Sequence, residues 1–334
     1  MIEGEDGRAG DDRDADDWAA TRSWVEKRLA DGERIEGAER LRGGWTSHMR
    51  GLSVSGPDGR RTLVLRSFEK PFYVRHADGL LSREATVLRL LGETSVPAAV
   101  LVDVDSAGTC CDHPSLLMSM LPGSVRLDDP GAEHRADLLA AQLSRIHQIE
   151  VSAEARPRTW QAWTSPERVT PPESTPRPEL WQRAVDVIRQ GPPDHRSCFL
   201  HRDFHPGNVL FEGDGNDVRI SGVVDWVETS WGPADLDVAH CSTALALLHG
   251  VPLGMSFADR YLAAGGRLAE RRSAHLYWRL IDAFAFAPDA EKVAVPWREL
   301  GRTDLTPALL AGRLENYLAA LFERYAYNPV GRRR

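Results

Sequence analysis

No apolar run in the 334-residue sequence approaches the roughly 20 residues that a membrane span needs. Cysteine is scarce: Cys110 and Cys111 are adjacent, Cys198 and Cys241 stand alone, and no CxxC spacing occurs. That spacing argues against a zinc ribbon, and buried, reduced thiols are expected. The acidic N-terminus lacks the basic-then-apolar order of a secretory leader, so a cytoplasmic location is expected. Excess basic charge is absent too. The net charge is −8, and residues 1–17 hold eight acidic side chains against Arg8 and Arg13. The rest of the chain is near neutral, which gives no electrostatic case for nucleic acid. Residues 1–17 read as a disordered acidic tail and 329–334 as a frayed basic end. Nothing implies a membrane or a protein partner.

Between those ends the texture changes once. A helical period starts at Trp18 and stops at Gly32, after which strand candidates around RGLSVS and RTLVLRSF flank a GPDG turn at 56–59. Leu80, Leu81, Ala85, Leu88 and Leu91 recur at helical spacing, and AAVLVDVD and PSLLMSML read as two more strands. Further on, Leu139, Gln142, Leu143 and Ile146 share one helical face, residues 152–178 form a Pro-, Ser- and Thr-rich loop, and PELWQRAVDVIRQG is a helix. The chain from Pro233 is mostly helical. This predicts an α+β protein with a β-rich N-terminal lobe over 18–121 and a mainly helical C-terminal lobe over 122–328.

The stretch FLHRDFHPGNVLF, residues 199–211, sets polar groups between two apolar ends. The ends read as short buried strands, and HPGN as a tight turn. Asp225, in GVVDW, follows Asn208 across a hairpin around EGDGND, which brings the two together. Asn and Asp oxygens are hard ligands suited to Mg2+. Asp203 lies nearby as a free carboxylate. That set suits phosphoryl transfer, with metal on the triphosphate and a carboxylate on the attacking hydroxyl.

HRDFHPGNVL followed by GVVDW resembles the aminoglycoside phosphotransferase/choline kinase superfamily, whose fold is protein-kinase-like. The signature H-R-D-x-x-x-x-N is present as His201-Arg202-Asp203 and Asn208. The resemblance implies two lobes with ATP (or GTP) in the cleft, Asp203 as catalytic base, and Asn208 with Asp225 as Mg2+ ligands. In WGPADLDVA it implies Asp237 as the brace of the catalytic loop through backbone amides, with Asp235 as competitor. His201 is read as a structural histidine behind Asp203, and His205 as a loop brace. In the N-terminal lobe the same template puts Gly43, Gly44 and Ser47 in a phosphate-covering loop, and Arg66 where protein kinases carry lysine. Glu84 is then the partner of Arg66, weighed against a solvated surface pair. Met118 would line the adenine pocket, and the backbone of Ser119, Met120 and Leu121 would bond the base.

The implied activity is ATP-dependent phosphorylation of a small-molecule hydroxyl. An antibiotic acceptor leads, macrolide-like or aminoglycoside, with a metabolite such as an amino alcohol or sugar second. Residues 229–331 carry 11 acidic against 10 basic side chains, no excess for a polycation, while HLYWRLIDAFAF is apolar. That favours a larger, partly apolar acceptor. Trp278 is a candidate contact, although such aromatics are more often core, and Asp282 either faces the acceptor or pairs with Arg279. Two rivals stand beside this reading. One is a metal-dependent hydrolase using His201, Asp203, His205, Asp225 and His240. The other is an inactive kinase fold used for binding.

Overall fold

The computed structural model describes residues 18–41 and 47–326. The expected tails at 1–17 and 329–334, and the loop glycines Gly43 and Gly44, lie outside the described residues. The chain divides into two compact units, one of residues up to Arg89 with Val100–Met120, the other of Leu90–Ala99 with Leu121 onward. The sequence suggests one boundary near 121, whereas the 90–99 stretch joins the second unit. There the Val223 amide donates to the Pro97 carbonyl (2.8 Å).

The first unit holds helix α1 (Ala19–Glu26), strands β1 (Arg34–Arg40), β2 (His48–Gly56) and β3 (Gly59–Ser67), helices α2 (Pro71–Val74) and α3 (Ala77–Leu91), and strands β4 (Leu101–Asp105) and β5 (Ser115–Ser119). Its antiparallel sheet runs β1-β2-β3-β5-β4. The β2–β3 hairpin closes with Gly56 opposite Gly59, so the GPDG turn falls where turn chemistry put it. Trp24 and Val25 of α1 pack with Leu52, Leu63, Leu65 and Leu117 in one cluster. Strand β1 gives no pattern to read, because it is an edge strand and its residues are exposed almost throughout.

The second unit begins with β6 (Ser124–Val125), α4 (Ala132–His147), α5 (Pro178–Ile188) and β7 (Ser197–Leu200), then β8 (Val209–Glu212), β9 (Arg219–Val223) and β10 (Ser230–Pro233). Helices α6 (Ala234–His249), α7 (Val251–Ala263), α8 (Arg272–Ala283), α9 (Glu291–Glu299) and α10 (Pro307–Tyr325) complete it. Strands β6, β8 and β9 form one small sheet. Strand β7 does not pair with β8; it pairs with β10, which the sequence pattern does not reveal. Helix α6 is buried from Ala234 to Leu248, and packs in a core with Trp181, Trp278, Leu314 and Leu318. A helix buried on every side must find partners for its polar residues. Asp235, Asp237, His240, Ser242 and Thr243 are those residues, and all but Ser242 find one.

No helix among the described residues is long and apolar enough to cross a membrane. All four cysteines are free. Cys111 and Cys241 are buried as expected, but Cys110 is exposed on the turn whose amides bond Asp105.

Candidate active site

Strand β7 ends at Leu200 and delivers the chain to His201. The Asp237 carboxylate, in the first turn of α6, accepts from the amides of His201 and Arg202, each at 2.8 Å. It also accepts from His147 Nε2 (3.1 Å), whose Nδ1 meets the Tyr261 hydroxyl (2.7 Å). Burial would raise the Asp237 carboxyl, but His147 and the neighbouring cationic groups outweigh it and hold it below its usual value. Asp235 lies elsewhere. It accepts from the Ala269 amide (3.0 Å) and faces His275 (3.4 Å), so the loop-bracing geometry is that of Asp237.

That brace holds an unfavourable backbone. Arg202 has φ +77°, a conformation that non-glycine residues rarely adopt. Its guanidinium lies 3.9 Å over the Trp163 ring and donates to the Gln161 carbonyl (3.2 Å). His201 is fully buried, donates through Nε2 to the Val224 carbonyl (2.9 Å) and accepts from the Asp203 amide at Nδ1 (3.2 Å). His205 Nδ1 accepts from the Gly207 amide (3.0 Å). A side chain at 207 would displace the His205 ring, because a Cβ there would meet it at 2.7 Å.

Asp203 is oriented on both oxygens. Asn208 Nδ2 donates to its Oδ2 (3.0 Å) and to its carbonyl (2.9 Å), and His240 Nε2 meets Oδ1 (3.1 Å). Burial would raise the Asp203 carboxyl, but the bond from His240 and the surrounding histidines outweigh it and hold it well below the usual carboxylate range. On its other side His240 Nδ1 meets Asp282 Oδ1 (3.1 Å), and Thr243 donates to Asp282 Oδ2 (3.0 Å). Burial would lower His240, yet Asp282 and Asp203 push it up to about 9. Asp282 therefore neither pairs with Arg279 nor faces a substrate; it is buried against α6. Trp278 is fully buried against Trp160, His195 and Tyr277, and presents no surface to an acceptor.

The β8–β9 hairpin sets Val209 opposite Val223, and the Val224 amide donates to the Asn208 carbonyl (3.0 Å). Asp225 follows at φ +64°, a second left-handed residue beside the same loop. With Asn208 Nδ2 committed to Asp203, its Oδ1 is the oxygen left to meet a cation. An amide oxygen and a carboxylate suit a hard divalent ion.

In the first unit Arg66 of β3 and Glu84 of α3 form a buried ion pair, with Nη1 at 2.9 and 3.1 Å from the two carboxylate oxygens. The surface-pair alternative is overturned. Removing one charge from a buried pair is costly, so Glu84→Gln is expected to destabilise the protein by about 3–5 kcal/mol. Urea unfolding measures this, and an unchanged midpoint would refute it. The Ser47 hydroxyl points to Met49 Sδ (3.5 Å). Met118 is half-buried on β5. The Ser119 and Met120 amides donate to the Val100 and Thr62 carbonyls (2.9 and 3.1 Å), so they are unable to bond a base as anticipated, which leaves their carbonyls and Leu121 for that role.

Sequence reasoning missed Trp163, Glu228, Lys292 and Trp297 beside Asp203. A cavity of about 320 Å³ within the second unit is lined by Asp203, His205, His240, Trp163, Phe286 and Trp297, with Glu228 and Lys292. Trp163 comes from the 152–178 loop, where a large aromatic with no helical face to join was the available signal. Possible ligand atoms of Asp203, His205 and His240 lie within 4.8 Å of one another. His240, however, has a carboxylate on each ring nitrogen, and His201 has both nitrogens engaged with the backbone. The hydrolase set is thus not assembled as proposed from the sequence.

A model of the phosphotransferase enzyme family matches residues 37–277. The mouse protein acyl-CoA dehydrogenase family member 10 is 26% identical over 217 residues, 60% of this chain. The match spans only 20% of that relative's length. A macrolide 2'-phosphotransferase type I superimposes with a TM-score of 0.54 at 20% identity, covering 93% of this chain and 98% of the other. An amicoumacin kinase, solved with AMP-PNP, Ca2+ and Ami, gives 0.58 at 12% identity, covering 92% and 98%. These structural likenesses show the fold, an α+β kinase-like one.

Proposed function

The chain belongs to the phosphotransferase enzyme family, and from that premise we propose that it transfers the terminal phosphoryl group of ATP to a hydroxyl of a small molecule. The observation that carries this reading is Asp203, held ionised and fixed on both oxygens at the wall of a cavity. A hydroxyl in that cavity donates its hydrogen bond to the carboxylate, which turns an oxygen lone pair toward the phosphorus. As the new O–P bond forms, the bond to the ADP oxygen breaks and the hydroxyl proton passes to Asp203. Asn208 and Asp225 would hold Mg2+, which when bound would supply positive charge to offset that of the phosphates. Arg66, positioned by Glu84, is assigned to the nucleotide phosphates, and Met118 with the 119–121 backbone to the base. GTP would meet the same groups.

The kinase bound to AMP-PNP and Ca2+ supports a nucleotide with a divalent ion. Antibiotic and metabolite alcohols are the two acceptor classes to screen. The test is ATP consumption with Mg2+ against a panel of both. Asn208→Ala and Asp225→Ala are each expected to weaken Mg·ATP by at least about tenfold, Asp225→Ala more, because it removes a charged ligand. Turnover that needs Zn2+ and ignores ATP would overturn the proposal in favour of a hydrolase.

A further inference from the structure

The cavity beside Asp203 holds about 320 Å³, the space of roughly ten water molecules. Trp163, Phe286 and Trp297 supply its apolar walls. Four charged groups line it, and three are answered within the protein. Asp203 is met by His240, His240 also by Asp282, and Glu228 by Arg158. The fourth is Lys292, in the first turn of α9, which makes no hydrogen bond or ion pair among the described residues. Asp282 is the carboxylate that acts on it, but both Asp282 oxygens are taken by His240 and Thr243. Arg168 adds positive charge nearby. Lys292 is exposed where it lines the cavity, so its ammonium is solvated and available to pair with a ligand anion there. The choice of residue is also unusual here, since Lys292 is one of three lysines in a chain with 38 arginines. A lysine is a compact point charge on a flexible stem, suited to meeting a ligand anion end-on.

We infer that the acceptor is a compact hydroxy acid, with its hydroxyl at Asp203, its apolar body between Trp163, Phe286 and Trp297, and its carboxylate at Lys292. This rests on the phosphotransfer reading given above. It departs from the larger acceptor anticipated from the sequence, because Lys292 calls for an anion, which neither a macrolide nor a polycation offers. The cavity is consistent with a single anion and a few apolar carbons, or one ring.

Chain-matched probes test this. Linear ω-hydroxy acids, α,ω-diols and ω-amino alcohols of four to ten carbons are offered with ATP and Mg2+, and phosphate esters are followed by phosphorus NMR. At the best length the hydroxy acid is expected to exceed the diol by at least about tenfold in kcat/KM, and the amino alcohol by more. Lys292→Gln should raise KM for the hydroxy acid about tenfold more than for the diol, and Lys292→Glu should shift preference toward the amino alcohol. A wild-type preference for the amino alcohol or an aminoglycoside would overturn the inference and leave phosphotransfer standing. So would a hydroxy-acid preference that survives Lys292→Gln. If no series is phosphorylated, calorimetric titration of the same hydroxy acids into wild-type and Lys292→Gln protein decides. Lys292-dependent binding supports the inference and places the failure in the phosphotransfer reading, whereas its absence overturns the inference.

Discussion

Asp203→Ala is expected to lower kcat by roughly 10²-fold or more while leaving ATP affinity within a few-fold. As the proposed base, Asp203 acts on the acceptor and makes no contact that the nucleotide requires. Its carboxyl is held well below the usual range, so it is ionised near neutral pH and is a weak base. A weak base suits a loose phosphoryl transfer, where orienting the hydroxyl matters more than early proton removal. The alanine also strips the partner from Asn208 Nδ2 and His240 Nε2. Asp203→Asn keeps the volume and one acceptor oxygen, so a similar loss in both variants assigns the effect to the carboxylate and not to loop collapse. Steady-state assays with urea unfolding of each protein make the measurement, and near-wild-type turnover in either variant would sink the assignment.

Asp237→Asn should be nearly as damaging by a different route. The carboxylate accepts from two loop amides and from His147, all buried. An asparagine presents one oxygen and an NH2 group, so one loop amide faces another donor. Hydrogen bonds to a charged acceptor contribute about 1.5–3 kcal/mol each, and a buried unpaired donor adds a penalty. A loss of about 3 kcal/mol or more is expected, a large part of a typical 5–15 kcal/mol stability. The loop it holds includes Arg202 at φ +77°, which has reason to relax once released. The kcat should therefore fall well beyond what the stability loss predicts, with KM for ATP moving less. Asp235→Asn is the control, because its bond goes to Ala269; it should destabilise while leaving kcat within about threefold. Equal kcat losses in the two variants would remove the special place of Asp237.

What could be read from the sequence was local. The β2–β3 hairpin and α3 carry their own periodicity and turn residues, and 199–211 carries two apolar ends around a Pro-Gly turn. The loop geometry at Asp203 and Asn208 follows from that compact pattern. What escaped depends on distant partners. Strand β10 takes its identity from pairing with β7, and its Ser-Trp-Gly-Pro sequence shows no alternation. Helical spacing linked Asp282 to Arg279, but α6 is buried on all sides, and His240, 42 positions away, needed the carboxylate more. The Ser119 and Met120 amides are consumed by neighbours at 100 and 62, which no local pattern announces. Trp163 and Lys292 reach the Asp203 cavity from a loop and a helix that share no motif.

The chain passes between its two units three times, after Arg89, after Ala99 and after Met120. The N-terminal unit is consequently not a cassette. A recombinant that took residues 18–120 from a relative would import a foreign 90–99 stretch together with the donor sheet. In this chain Val96 and Ala99 of that stretch are buried, and its Pro97 carbonyl holds the Val223 amide, two residues before Asp225. Exchange of the first unit between relatives would therefore need three junctions, with 90–99 kept from the host. Gene shuffling that cuts only once would tend to damage the strand leading to Asp225 along with whatever it set out to exchange.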